Sequence, residues 1–178
     1  MFKTLVDECS EFINETYPYP LLKNLPISKD GFIKLKIRHK KNKKYVESKT
    51  LNIFNEAFEQ FYKNVTFKAL YAYPQETLEE GDINTEPFYI FPVDGYKYLY
   101  NTMVTSSHNK YNDILLKIEN DHLENVFKDI IKDSYYNEDL KTGISCGSEI
   151  IFFDIPYYYA IRQSLIEVPY EDFLRSSF

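Results

Sequence analysis

The chain has 178 residues, a length that predicts one domain able to bury about two-thirds of its unfolded surface. Aromatic residues make up 17%, with 17 Tyr and 14 Phe but no Trp, and Gly occurs only 5 times. This composition excludes a disordered or low-complexity chain. The net charge of −6 disfavours a general nucleic-acid-coating protein.

The sequence predicts neither a membrane segment nor a metal site. No stretch approaches the roughly 18 apolar residues that cross a bilayer, and the N-terminus lacks the basic-then-apolar pattern of a secretion signal. Cys9 and Cys146 have no metal-binding spacing and are expected to be reduced thiols. We therefore expect a protein that is not secreted and has no membrane partner.

The N-terminal segment is predicted to be helical. Residues 2–15 carry apolar side chains at helical spacing, and Pro18 and Pro20 follow, where proline ends helical backbone. Residues 1–16 are thus expected to form an N-terminal amphipathic helix. Residues 17–178 are expected to form a single α+β domain, with a mixed or antiparallel sheet and flanking helices.

Apolar spacing and turn residues predict the elements of that domain. Asp94-Gly95, between two aromatic runs, predicts a β-hairpin or a tight turn. In chain order, the predicted elements are a connector over 21–26, a strand over 32–39, a helix over 51–64, a strand over 66–73, a surface loop over 75–87, strands over 88–92 and 96–100, a long helix over 111–133, a loop over 135–145, two strands within 149–161 and a terminal helix within 168–178.

One short segment concentrates positive charge. It is predicted to be the end of a strand and an exposed hairpin, on a chain that is otherwise acidic. Such a hairpin favours a phosphate-bearing ligand, including nucleic acid, or pairs with the chain's own acids. A solvated hairpin is the simpler alternative. Its seven basic residues are Lys34, Lys36, Arg38, Lys40, Lys41, Lys43 and Lys44.

A single carboxylate, Glu149, stands at the start of the most apolar run, which extends from Gly147 to Ile161. The β-branched and aromatic residues on both sides of Pro156 predict a buried strand, a bend and a second strand. Glu149 is then either a solvent-exposed strand end or a catalytic carboxylate on a rigid strand, because Glu is rarely buried unless it is paired.

General sequence motifs for catalysis are absent. The chain has no phosphate-binding loop, dinucleotide fingerprint, zinc spacing or nucleophile elbow. His39, His108 and His122 are scattered along it, which argues against a metal site or a hydrolase triad.

Four segments within residues 20–162 resemble a group of tailed-bacteriophage proteins that we relate to the ADP-ribosyltransferase fold. They are KLKIRHKKNKKYVESKTLNIFNEAFEQFYKN, FKALYAYP, FYIFPVDGYKYLYN and GSEIIFFDIPYYYAIR. The resemblance implies an ADP-ribosyltransferase-like fold with NAD as co-substrate. It makes Glu149 the catalytic residue and Arg38 the dinucleotide-binding residue, with Tyr71 or Tyr73 stacked on the nicotinamide.

In such transferases nicotinamide leaves and positive charge develops on the ribose, as in glycoside cleavage. A fixed carboxylate stabilises that cation, and an Arg fork matches the diphosphate. This chain departs from the pattern at three places. Tyr71-Ala72-Tyr73 replaces Ser-Thr-Ser, His39 replaces the Gly after the Arg, and Gly147 replaces a second carboxylate or amide. These departures favour a fold that has lost catalysis over a divergent enzyme.

The N-terminal segment also resembles the capsid-targeting leaders of phage internal proteins, which are cut after an (Ile/Leu)-x-Glu sequence. Ile13-Asn14-Glu15 matches that sequence. The resemblance implies removal of residues 1–15, whereas an ordinary docking helix leaves them in place.

Two functions follow from these observations. The first is a phage-encoded ADP-ribosyltransferase-like protein, active or degenerate, that modifies or binds a host or virion target. The second is a non-catalytic virion or host-takeover protein that uses Lys34–Lys44 and exposed tyrosines as an interface. A nucleic-acid-binding accessory protein is a third alternative. Each implies a location in the host cytoplasm or the virion.

Overall fold

The computed structural model describes residues 2–37, 49–62, 69–102 and 123–177. The helices are α1 (Phe2–Glu8), α2 (Ser10–Thr16), α3 (Lys49–Phe61), α4 (Leu123–Ser134), α5 (Leu140–Ser145) and α6 (Tyr170–Ser177). The strands are β1 (Leu21–Pro26), β2 (Phe32–Lys36), β3 (Leu70–Pro74), β4 (Thr85–Pro92), β5 (Lys97–Asn101), β6 (Tyr135–Tyr136), β7 (Ile150–Phe153) and β8 (Tyr157–Arg162). Single 3₁₀ turns occur at Gln75–Thr77 and Gln163–Leu165.

The eight described strands form one antiparallel sheet in the order β2-β8-β4-β1-β3-β7-β5-β6. The predicted α+β class with an antiparallel sheet is therefore confirmed for the described part of the chain. Its helices are the expected flanking elements. None of the described helices is long and apolar enough to cross a bilayer.

Of the two structures predicted at Asp94-Gly95, the tight turn is present and the hairpin is not. Gly95 has a φ of 83°, which suits a glycine in a tight turn. The flanking strands β4 and β5 are not neighbours, because β1 and β8 occupy both edges of β4. Strands β7 and β8 are likewise separated in the sheet. Both turns therefore carry the chain from one half of the sheet to the other.

Two segments expected to be irregular are ordered elements instead. Residues 21–26 form β1, which pairs with β3 and β4 in the middle of the sheet. Residues 135–145 contain β6 and α5. Short segments of this kind have too little periodicity to be recognised locally, and their neighbours in the fold decide their structure.

The N-terminal segment forms two helices where one was predicted, with a break at Cys9. The Asp94 carboxylate causes α2 to begin anew, since it accepts hydrogen bonds from the Ser10 hydroxyl (2.8 Å) and the Glu11 backbone N–H (2.9 Å). Phe12 and Ile13 are buried in the core. Cleavage after Glu15 remains a prediction.

The described residues form two hydrophobic cores on the sheet, and β7 contributes to both. Helices α1, α2, α5 and α6 pack into the first core, and α3 and α4 pack into the second. Successive side chains of a strand point to opposite faces. Accordingly, Ile150 and Phe152 enter the first core, while Ile151 packs with Phe58 and Phe127 in the second.

Candidate functional site

The carboxylate Glu149 is aimed at the sheet by the turn that ends α5. Gly147 has a φ of 71°, the left-handed conformation that commonly ends a helix. Its N–H donates to the Ile144 carbonyl (2.9 Å), and the next N–H, of Ser148, donates to the Gly143 carbonyl (3.0 Å). Glu149 then immediately precedes β7. The turn therefore fixes the backbone from which its side chain projects.

Glu149 is buried, with 7% of its surface exposed, and the Tyr73 hydroxyl donates a hydrogen bond to its Oε1. The pairing of Ala72 with Ile150 explains the contact, because one further step of this antiparallel register places Tyr73 opposite Glu149. On the other side, the pairing of Tyr100 with Ile150 continues to Asn101 opposite Glu149. Glu149 thus stands between two polar residues of neighbouring strands.

Tyr71 lies two residues before Tyr73 on the same face of β3 and packs against the second core. Its backbone carbonyl accepts a hydrogen bond from Lys23 Nζ at 2.9 Å. Burial, and then the negative charge of Glu149, raise the pKa of both phenols above their ordinary value. Both tyrosines are therefore neutral at physiological pH, and Tyr73 acts as a donor toward the carboxylate.

A cavity of about 320 Å³ borders Tyr73. Its lining includes one basic residue, Lys23, and three acidic residues, Glu79, Glu80 and Asp82. A negative lining of this kind repels a diphosphate, because like charges at short range disfavour binding. The cavity is therefore poorly suited to the anionic part of a dinucleotide.

The structure brings together two of the four residues that sequence reasoning assigned to a site. Glu149 and Tyr73 are in contact, and Tyr71 lies beside them on β3. Arg38, the expected dinucleotide-binding residue, lies outside the described residues, as do the three histidines and Lys40–Lys44. The interpretation of Glu149 as an exposed strand end is wrong, because Tyr73 pairs with it and permits its burial.

A second polar cluster was not recognised in the sequence. Glu8 Oε2, at the end of α1, accepts hydrogen bonds from the hydroxyls of Tyr157 (2.8 Å) and Tyr159 (2.6 Å). Lys34 Nζ lies 3.5 Å from the same oxygen and 3.6 Å from the centre of the Tyr157 ring. The two hydroxyls and the ammonium group hold the pKa of Glu8 below its ordinary value.

Helix α2 supplies two further acids that bind the sheet or its turns. Glu11 accepts a hydrogen bond from the Gly95 N–H (2.9 Å), and Glu15 accepts hydrogen bonds from the hydroxyls of Tyr96 and Tyr98. Glu8, Glu11 and Glu15 have helical spacing, which was the available signal. Such spacing ordinarily indicates a solvated helix face, so the sequence alone did not separate the two cases.

These arrangements define the chemistry that the described residues offer. Glu149 is a shielded carboxylate engaged by a phenol, and the Glu8 cluster is a partly exposed acid held by two phenols and an ammonium group. Within the four described ranges, no group of three His, Cys, Asp or Glu side chains has the geometry to hold a metal ion.

The fold and this site define the molecule as an α+β protein in which a buried glutamate at the start of an inner strand is paired with a half-buried tyrosine. No family model, curated protein or solved structure matches the chain. The phage origin, the ADP-ribosyltransferase likeness and the use of NAD therefore stay predictions from the sequence.

Proposed function

We propose that this chain is a non-catalytic, phage-encoded relative of ADP-ribosyltransferases that binds a host or virion protein. The observation that carries the proposal is the burial of Glu149 together with its hydrogen bond from Tyr73. A carboxylate must come close to the ribose carbon to stabilise the developing cation. The hydrogen bond from the Tyr73 phenol occupies one of the carboxylate oxygens that would stabilise this cation.

The cavity beside Tyr73 supports the same conclusion, because its three carboxylates oppose a diphosphate. Support for a binding role comes from the basic segment. Lys34 and Lys36 are exposed on β2, the terminal strand of the described sheet, on a chain whose net charge is −6. A local positive patch on an acidic protein favours a specific acidic partner over general adhesion.

Calorimetric titration with NAD tests the loss of catalysis. We expect no binding heat from the wild-type protein and no release of nicotinamide on prolonged incubation. Glu149→Gln and Arg38→Ala serve as comparison variants. Binding heat that disappears in both variants, or nicotinamide release that depends on Glu149, would overturn the proposal.

Affinity capture from phage-infected host cells tests the binding role. The wild-type protein is compared with Lys34→Glu/Lys36→Glu and with Lys132→Glu/Lys141→Glu, which makes the same change in net charge at other exposed positions. We expect a defined partner to be lost only with the β2 variant. Equal loss in both variants would indicate nonspecific electrostatic adhesion and contradict the assignment to β2.

An active ADP-ribosyltransferase is the second candidate, and one observation favours it. The residue expected to be catalytic and one expected to contact nicotinamide are in contact, at the start of β7 and the end of β3. The calorimetric experiment decides between the two candidates.

For nucleic acid as the partner of Lys34–Lys44, a retention assay over a salt series should show affinity that falls steeply with salt.

A further inference from the structure

Strand β2 forms one end of the described sheet and has β8 as its only neighbour in the described ranges. Its five residues, Phe32–Lys36, pair with β8 along their whole length. A terminal strand presents unpaired backbone groups on its outer side, and such groups can pair with another extended chain.

Two hydrogen bonds at the ends of the β2–β8 pairing show which residues of β2 direct their backbone groups away from β8. The Gly31 carbonyl accepts from the Arg162 N–H (2.8 Å), and the Ile37 N–H donates to the Pro156 carbonyl (3.2 Å). In an antiparallel pair, hydrogen-bonded and non-hydrogen-bonded residues alternate. Odd-numbered residues thus bond to β8, while Phe32, Lys34 and Lys36 direct their N–H and C=O groups away from it.

The side chains of the three outward-bonding residues give this edge its chemical character. Phe32 stacks on Tyr159, with ring centres 5.5 Å apart, and Lys34 is 46% exposed beside Glu8. Lys36 is also exposed and has no carboxylate within ion-pair distance in the part of the chain that the structure describes. Among the described residues, the edge therefore combines positive charge with backbone groups that no strand pairs.

We propose that β2 binds an extended acidic segment of another protein by adding it to the sheet as a further strand. This inference rests on the proposed binding function and names the chemistry of the partner. The N–H and C=O groups of Phe32, Lys34 and Lys36 supply the hydrogen bonds, and Lys34 and Lys36 pair with carboxylates on the added strand. An acidic strand fits because opposite charges on adjacent strands attract.

A second copy of the chain is a poorer occupant of this edge. Antiparallel pairing of two β2 strands about their centres would place the two Lys34 ammonium groups opposite each other. Like charges directly opposite on paired strands are destabilising. Exposed lysines on a terminal strand are a common protection against such self-association.

Fluorescence anisotropy with three labelled heptapeptides tests the proposal. The first alternates Glu and Val, the second alternates Lys and Val, and the third is the Glu peptide methylated at every backbone nitrogen, which blocks both of its edges. We expect binding of the first peptide only, because the second carries the wrong charge and the third cannot complete the backbone ladder. Equal binding of the second or third peptide, or no binding of the first, would overturn the proposal.

Two protein variants separate the backbone contribution from the charge. Lys36→Pro removes an outward N–H together with the charge, whereas Lys36→Ala removes the charge alone. Because the N–H of Lys36 faces away from β8, proline there leaves the existing ladder intact. We expect Lys36→Pro to bind the acidic peptide about tenfold more weakly than Lys36→Ala. Equal affinities would contradict strand addition.

Amide hydrogen exchange on the wild-type protein gives a readout that does not depend on any variant folding. Addition of the acidic peptide should slow exchange at the amides of Lys34 and Lys36, while those of Ile33 and Leu35 are already bonded to β8. Unchanged exchange at Lys34 and Lys36 would overturn the inference, even if the calorimetric result with NAD upholds the loss of catalysis. A shift to dimer at the protein concentrations used would instead assign the edge to a second copy.

Discussion

At the scale of single residues, the pair Tyr73–Glu149 is the feature on which the functional interpretation depends. The two side chains come from positions 76 residues apart and meet because β3 and β7 are neighbours. Leaving a buried carboxylate without a hydrogen-bond donor costs several times more free energy than the hydrogen bond contributes to stability. A structural role for the pair therefore has a measurable consequence for stability.

Replacement of Tyr73 by Phe should destabilise the protein by about 1–3 kcal/mol, because the buried Glu149 carboxylate loses a hydrogen-bond donor. Urea unfolding followed by circular dichroism measures this change. Tyr19→Phe is the control, since the Tyr19 ring is exposed and its hydroxyl has no hydrogen-bond partner among the described residues. Unchanged stability in Tyr73→Phe would contradict a structural role for the hydrogen bond and would favour the enzyme candidate.

A second residue-scale feature is the contact between Gly143 and the Tyr100 ring. A Cβ atom at position 143 would lie 2.6–2.9 Å from three ring carbons. The ring has little freedom to move, because Tyr100 is buried and its hydroxyl donates to the Glu138 carbonyl (2.7 Å). The glycine therefore allows α5 to pack closely on β5.

The Gly143→Ala substitution should lower the free energy of unfolding by about 1–3 kcal/mol, the usual cost of an overpacked site. Without the clash, the same change inside a helix would stabilise it by roughly 1 kcal/mol, so the sign of the effect is informative. Urea unfolding is again the measurement, with Lys141→Ala on the exposed side of α5 as the control. A gain in stability would contradict the close packing.

At the scale of elements, the two N-terminal helices are joined to the sheet by acids as well as by apolar side chains. The Phe12 ring contacts those of Phe91, Tyr96 and Phe152 edge to face. Along the same helices, Glu8, Glu11 and Glu15 each accept hydrogen bonds from groups on the sheet or its turns. The segment is thus a docked element of the described fold.

The docking of α1 should depend on pH through Glu8. Hydrogen bonds from Tyr159 and Tyr157 lower the pKa of Glu8 in the folded protein below its ordinary value of 4.5. A group with a lowered folded pKa contributes stability above its unfolded pKa, and that contribution is lost as the pH falls through the folded pKa. Glu8→Gln should therefore be less stable than the wild type at neutral pH.

Urea unfolding across the acid range measures this difference, which should shrink and vanish well below pH 4.5. Glu167→Gln is the control, because exposed Glu167 accepts no side-chain hydrogen bond within the described residues. A difference between wild type and Glu8→Gln that stays constant with pH would show that the Glu8 charge does not contribute to docking.

At the scale of the whole molecule, the two cores share β7 and cannot be separated without breaking that strand. Phe152 belongs to the first core, and Ile151, the residue before it, belongs to the second. The chain also passes between the two halves of the sheet after β4 and after β7. Cooperative unfolding of both cores is therefore expected.

The Phe127→Ala substitution tests this coupling from the second core. It should lower the free energy of unfolding by about 3–5 kcal/mol. The reporter is Cys9 of the first core, whose thiol is buried and whose pKa is raised to about 12 by that burial. In a Cys146→Ser background, the urea midpoints for Cys9 labelling and for circular dichroism should fall together. Phe61→Ala, at an exposed position, is the control. Separate midpoints would indicate two independent units.

Local sequence patterns determined much of the element content of this protein. The N-terminal helical segment, helix α3, the turn at Gly95 and the apolar strand after Glu149 all appear in the structure. They could be predicted because helix and strand periodicities depend on residues only a few positions apart. The class of the fold followed from the order of these elements.

The tertiary structure alone decided which strands are neighbours and which polar groups are buried. Aromatic runs around Asp94-Gly95 are compatible with a hairpin, yet β1 and β8 take both edges of β4. Glu149 could be exposed or buried until β3 placed Tyr73 beside it. Strand pairing joins segments far apart in the chain, and their affinity depends on shape, burial and hydrogen-bond partners that no local pattern contains.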